Sequence, residues 1–206
     1  MSEPQIHGLF PTPITINNLG REFTDEEKEF FDLQSKTIVN NMGNTTSADN
    51  YLMKYEPMAN IHNEIKAALD HYMKEVINAK DGVEPYVTQS WLNYTKAGQF
   101  HHIHTHPNSV ISGVFYINAT QGDRITFSKQ VRDMILEFET DDFQLFNSKS
   151  WFFDVSSNNI VLFPSTLQHR VETLDEKKTD VRISLAFNTF LKGHAGDNKS
   201  LTELIL

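Results

Sequence analysis

Four of the nine histidines of this 206-residue chain stand within six residues, in Gly98-Gln99-Phe100-His101-His102-Ile103-His104-Thr105-His106-Pro107. Neutral imidazole is the commonest protein ligand for zinc, iron, copper and nickel. Alternation along an extended segment puts His102, His104 and His106 on one face and His101 on the other. Two imidazoles two residues apart at the end of a strand reach a single metal ion. Two further stretches belong with this cluster. Ile160-Val161-Leu162-Phe163-Pro164-Ser165-Thr166-Leu167-Gln168-His169 reads as an apolar strand, a proline turn and a lone histidine. Val181–Asn188 reads as a strand with Arg182, Ser184 and Ala186 on one face. An inward arginine is costly unless an anion pairs with it, and its planar fork matches a carboxylate.

Each of these residues also has a plainer reading. A lone His169 is ordinarily a solvated or core histidine. His101 and His102 suit an outer hydrogen-bonding role, a substrate contact or simple exposure. Arg182 has Asp180 and Glu172 nearby in sequence as ordinary ion-pair partners. His7, His62, His71 and His194 have no pattern around them. Asp123 and Asp154 have carboxylates that bind metals in principle, but neither lies at a motif spacing.

These residues need strands to position them, and the chain supplies strands after two helices. An apolar stretch over 6–16, broken by Pro11 and Pro13, reads as an edge strand or an arm. Thr24-Asp25-Glu26-Glu27 is a capping box, opening a helix that carries Phe30, Phe31, Leu33 and Ile38. A polar run over 40–50 follows. Met58, Ile61, Ile65, Ala68, Leu69, Tyr72, Met73, Val76 and Ile77 predict a second helix with a broad apolar face, ended by Asp81-Gly82. Residues 86–94, 110–118, 124–127, 134–138, 159–164 and 182–190 predict short strands rich in β-branched and aromatic residues. The segment 128–154 reads as a hairpin or a loop over the mouth, and the tail after Lys192 as loose, with Leu201–Leu206 able to dock. Ser112-Gly113 suits close packing between sheets.

The expected fold is mainly β, a jelly roll or double-stranded β-helix buttressed by two N-terminal helices. One domain is expected over 1–206: arm and support helices over 1–85, the β core over 86–190, and a tail over 191–206. A net charge of −9 argues against general nucleic-acid or anionic-membrane binding. The absence of cysteine excludes disulfides, thiolate metal sites and a cysteine nucleophile, and fits a reducing compartment. The first residues lack the pattern of a signal peptide, and no apolar run is long enough for a membrane span. The expected location is cytoplasmic.

The ordered motifs resemble a known family. Trp91-Leu92-Asn93-Tyr94, Gly98 through His104-Thr105-His106-Pro107, Ser112-Gly113-Val114-Phe115-Tyr116, Leu162-Phe163-Pro164-Ser165 to His169, and Arg182-Ile183-Ser184 to Phe187-Asn188 are similar to the iron(II)/2-oxoglutarate-dependent oxygenases. The likeness is to the prolyl-4-hydroxylase-like branch and to a group of small proteins from bacterial and marine phage genomes. It spans 86–190, about half the chain.

The resemblance implies a double-stranded β-helix with Fe(II) at its mouth, and 2-oxoglutarate and dioxygen as cosubstrates. It places His104 on the first metal ligand, His169 on the distal one and His106 on the position usually held by Asp or Glu. Tyr94 and Tyr116 would hydrogen-bond 2-oxoglutarate, while Arg182 and Ser184 would hold its far carboxylate. A triad of three neutral imidazoles leaves iron(II) at +2, where a carboxylate would leave +1; water or His102 in place of His106 is the alternative. The implied activity is a dioxygenase, usually a hydroxylase, acting on a small-molecule or peptidyl substrate. For a phage-encoded protein the location would be the host cytoplasm. Edge strands and the 23–38 helix leave room for a homodimer. The rival readings are a three-histidine cupin-like metalloenzyme that does not use 2-oxoglutarate and a non-catalytic β-sandwich binding module.

Overall fold

The computed structural model describes residues 3–80, 82–129, 136, 138–175 and 177–206. Twelve strands form an eight-stranded and a four-stranded antiparallel sheet among these residues. The larger holds β1 (Thr15–Asn18), β9 (Asn159–Pro164), β6 (Ile111–Asn118), β11 (Arg182–Ala195), β4 (Val83–Thr95), β3 (Thr45–Ser47) and β2 (Ile38–Asn40), in that order, with β12 (Leu204–Ile205) paired to β11. The smaller runs β5 (His101–His104), β10 (Gln168–Val171), β7 (Arg124–Ser128) and β8 (Ser150–Asp154).

Two helices cover one face of the larger sheet. Helix α1 (Asp25–Ser35) starts at the expected capping box: Glu27 N–H donates to Thr24 Oγ1 at 3.2 Å, and Thr24 N–H donates to Glu27 Oε2 at 2.9 Å. Arg21 donates to the buried Glu27 carboxylate at 2.7 Å, so that charge is paired. Helix α2 (Ala59–Tyr72) buries Ile61, Ile65, Leu69 and Tyr72, residues at three- and four-residue spacing. These side chains pack with Leu92, Tyr94, Phe115, Ile117, Ile160, Leu162, Leu185 and Phe187 from the sheet. The sheet's other face meets the smaller sheet through a second core of Tyr116, Ile125, Phe127, Val155, Val161 and Phe163. Period-two alternation therefore sorts the residues of β6 and β9 into a helix-facing and a sandwich-facing set.

Several expectations change here. Helix α1 stops at Ser35, and Ile38 begins β2; the polar run after it contributes β3, which pairs with β4. The tail is not loose throughout, because β11 continues to Ala195 and receives Leu204–Ile205. The segment expected over 128–154 is flanked by the antiparallel pair β7 and β8, with Ser128 opposite Ser150, while residues 130–135 and 137 lie outside the described residues. Of the expected strand 134–138, residues 134, 135 and 137 lie outside the described residues, and Leu136 and Phe138 are in no strand. Asp81 also lies outside them.

Close packing at Gly113 is real. A Cβ there would overlap the Phe187 ring, which is fully buried on the neighbouring strand. Gly113→Ala should therefore destabilise the fold by about 1–3 kcal/mol, the usual cost of overpacking. A urea titration checks it; an unchanged midpoint would show that the ring can move aside.

Candidate metal centre

Strands β5 and β10 bring the first two ligand candidates together. Their antiparallel register sets His169 opposite His104. The ring centroids lie 4.3 Å apart. His106 follows β5, anchored by its N–H donating to the Ser165 carbonyl at 3.0 Å. Its Nε2 lies 3.2 Å from His169 Nε2. Ligand nitrogens of His104, His106 and His169 all lie within 4.8 Å of one another.

This arrangement fits a metal ion. At metal–nitrogen distances near 2.1 Å, neighbouring ligand nitrogens sit roughly 3.0–3.4 Å apart, depending on geometry. The His106–His169 separation falls in that range. Two of the three rings are already turned for the task. His104 Nδ1–H donates to the His102 carbonyl at 2.8 Å, and His169 Nδ1–H donates to the Leu167 carbonyl at 3.1 Å. In both cases Nε2 is left with a free lone pair, the usual way a second partner orients a ligating histidine. His169 is buried against Phe163 and Phe127.

Burial also keeps the imidazoles uncharged. It pushes the His169 pKa down to about 2 and His106 to about 4, with the neighbouring histidines adding to the effect. His104 is lowered too, chiefly by burial. Metal binding requires the neutral form. Among the described residues, the groups of side chains near enough to share an ion contain only histidine.

The alternation expected over 101–106 fails at one point. His104 pairs with His169, but His101 pairs with Val171, so three steps along β5 match two along β10. This β-bulge turns His101 onto the face of His104. The two rings stack with centroids 4.5 Å apart. Asn41 Nδ2 approaches His101 Nε2 at 3.3 Å.

Arg182 reaches the same interior from the larger sheet. It is 3% exposed, and its Nε and Nη1 are buried without a hydrogen-bond partner. Neither expected ion pair forms among the described residues: Glu172 pairs with Arg170 at 3.2 Å, and Asp180 has no salt bridge. An unpaired buried guanidinium is among the most expensive groups a protein can hold, so its position calls for an anionic ligand. Arg182 shares a face of the larger sheet with Thr95 and Trp91 across β4, and the Trp91 ring lies 6.0 Å from that of His106. Its charge adds to the lowering of the His101 pKa, behind burial, His104 and His102. Ser184, the next side chain on the same face, is also buried.

The two tyrosines part company. Tyr116 lies opposite Ser184, is 1% exposed and has its ring centroid 6.0 Å from the Arg182 guanidinium. Burial pushes its pKa up to about 12. Tyr94 lies on the other face of the larger sheet, within the helix-covered core, and its hydroxyl donates to the Phe31 carbonyl at 3.4 Å. The structure does not bring it to the cluster. Tyr94→Phe should leave 2-oxoglutarate affinity unchanged and cost about 1 kcal/mol of stability. Calorimetric titration and thermal melts separate the two; a large loss of affinity would return Tyr94 to the site.

The register sets two other residues of β4 beside Ser184 and Arg182. Asn93 pairs with Ser184 and Thr95 with Arg182 across β4 and β11. Asn93 is 3% exposed and its Oδ1 has no partner. Trp91, two residues earlier on that face, lies 6.0 Å from the His106 ring. Sequence reasoning singled out Tyr94 and passed over Asn93. Alternation from Arg182 and Ser184 shows it only once the strand pairing is known.

Comparison with known proteins decides the family. Residues 89–188 match the family described as "Putative 2OG-Fe(II) oxygenase", and the match contains all three histidines, Arg182 and Ser184. This chain carries a 2OG-Fe(II) oxygenase domain. Such a domain is an oxidoreductase that uses iron(II), 2-oxoglutarate and dioxygen.

Solved structures agree on the jelly-roll fold. An oxidoreductase of the 2OG-Fe(II) oxygenase family from Burkholderia pseudomallei shares 14% identity, with 79% of this chain and 76% of that chain covered and a TM-score of 0.53. HygX from Streptomyces hygroscopicus, crystallised with nickel, 2-oxoglutarate and hygromycin B, shares 11% over 86% of this chain and 82% of its own, with a TM-score of 0.56. A prolyl-4-hydroxylase from Pseudomonas putida shares 10% over 86% and 92%, with a TM-score of 0.54. No curated protein matches the chain. No helix among the described residues of the oxygenase is long and apolar enough to cross a membrane.

Proposed function

We propose that His104, His106 and His169 hold the iron(II), that Arg182 and Ser184 hold the far carboxylate of 2-oxoglutarate beside Asn93 and Tyr116, and that the domain hydroxylates a small-molecule or peptidyl substrate. The observation that carries this reading is Arg182, a buried guanidinium with two unpartnered nitrogens near a cluster of neutral imidazoles. Iron(II) with open positions supplies the coupling of 2-oxoglutarate decarboxylation, which gives succinate and carbon dioxide, to oxidation of the second substrate.

The chain's own residues bind, orient and exclude water. Three neutral imidazoles add no negative charge, so a dianionic cosubstrate meets a full +2. The guanidinium fork fixes the other end of the dianion and the Ser184 hydroxyl adds a donor. Phe127, Phe163 and the Trp91 ring wall the histidines with apolar surface, which strengthens these electrostatic contacts. No side chain has to act as a general base. A cytoplasmic location suits a centre that needs its iron divalent.

The rival readings are less favoured. Neither a three-histidine enzyme indifferent to 2-oxoglutarate nor a binding module accounts for the orphaned cation beside the cluster. The experiment is an anaerobic titration of the Fe(II)-loaded protein with 2-oxoglutarate, followed by air. A visible charge-transfer band and then succinate are expected, and a substrate found by screening should gain one oxygen atom. Bound iron with no band would overturn the assignment of the cosubstrate site.

A further inference from the structure

The bulge in β5 creates a second group of three imidazoles. Ligand nitrogens of His101, His102 and His104 lie within 4.8 Å of one another, as those of the inner triad do. His101 and His102 line a cavity of about 480 Å³ at the molecular surface, together with Arg170 and Glu172. The rings are close: His102 lies 4.9 Å from His104 and 5.2 Å from His101 between centroids.

We propose that His101, His102 and His104 form an outer seat for a divalent metal ion, through which the ion reaches the inner triad. Each ring has a nitrogen for it. His102 Nδ1–H donates weakly to the Met42 carbonyl at 3.4 Å, leaving Nε2 free. The lone pair on His101 Nε2 is engaged only by the 3.3 Å contact with Asn41, which the ion replaces. His104 offers Nε2 alone, because its Nδ1–H is tied to the His102 carbonyl.

That single lone pair makes the two seats alternatives. One ion bound to His104 can exchange His101 and His102 for His106 and His169 without ever leaving the protein. The outer rings are all half-buried, whereas the inner triad includes the buried His169, so the ion arrives from the outer side. Ligand exchange about a fixed imidazole avoids stripping all the protein donors at once. The transfer step rests on the inner triad being the iron site; the outer seat itself does not.

The test uses the full chain and Co²⁺ alone, followed by calorimetry and by the visible absorption of the bound ion. In His106→Ala/His169→Ala, which removes the inner seat and keeps His104, about one equivalent of Co²⁺ should still bind. Adding His102→Ala to that background should weaken the binding at least about tenfold. In the otherwise unaltered chain, His102→Ala should slow Co²⁺ loading of the inner seat by about tenfold, with one equivalent still bound at the end. No Co²⁺ uptake by the folded double variant, or uptake indifferent to His102→Ala, overturns the outer seat. Should circular dichroism show the double variant unfolded, the single variant decides: loading at the wild-type rate overturns the proposal. Failure of 2-oxoglutarate to bind would leave all these outcomes unaffected, so the two readings fail separately.

Discussion

Arg182→Met should weaken 2-oxoglutarate binding by about 30- to 5000-fold and, in the same experiment, make the cosubstrate-free protein more stable. The two effects have one cause. Arg182 is 3% exposed with Nε and Nη1 unpartnered, and no carboxylate among the described residues neutralises it. With the dianion bound, removing one member of a desolvated charge pair costs roughly 2–5 kcal/mol, or about 30- to 5000-fold in affinity. Without it, the guanidinium is a buried group missing its partners, which costs about 1–3 kcal/mol and more when charged. Methionine fills much of the volume and needs no partner. Calorimetric titration reads the first effect and a denaturant titration without 2-oxoglutarate the second. Lost affinity with lowered stability would mean that Arg182 is a structural cation paired in some other way.

His169→Ala should lower divalent-metal affinity by roughly 10²- to 10³-fold. Structural zinc sites with four ligands are worth about 10–16 kcal/mol, so one ligand carries on the order of 3–4 kcal/mol. His169 should carry at least that share, because its orientation is prepaid. Its Nδ1–H is bonded to the Leu167 carbonyl, Phe163 packs at 4.6 Å, and β10 holds it opposite His104. The weaker binding that remains should show the spectrum of the outer imidazoles. Competition between Co²⁺ and a chelator of known affinity gives the number. A loss below about threefold would take His169 out of the ligand set.

The helices and most of the strands were legible because their cues are local. Thr24 and Glu27 announce α1 through hydrogen bonds made within four residues, and the apolar stripe of α2 needs only its own periodicity. Strands β6, β9 and the first half of β11 were visible as apolar runs. The short strands β2 and β3 were not, because polar residues such as Thr45, Thr46 and Ser47 become strand only by pairing with β4. That Leu201–Leu206 could dock was visible from its apolar residues, but where it docks was not, because that depends on the edge that β11 presents.

The site divides along the same line. The composition of the cluster, the spacing of His104 and His106, the distal His169 and the arginine thirteen residues later are sequence properties. Residue type points to imidazole ligation and carboxylate binding, beside the plainer readings of a solvated histidine or an ordinary ion pair. Strand pairing decided everything that depends on facing. It set His169 opposite His104, and it sent Tyr94 to the helices and Asn93 to the interior. One extra residue in β5 brought His101 to the ring it was expected to face away from. Alternation fixes relative facing within a strand, but only the pairing partner says which face is inside, and a bulge reverses it.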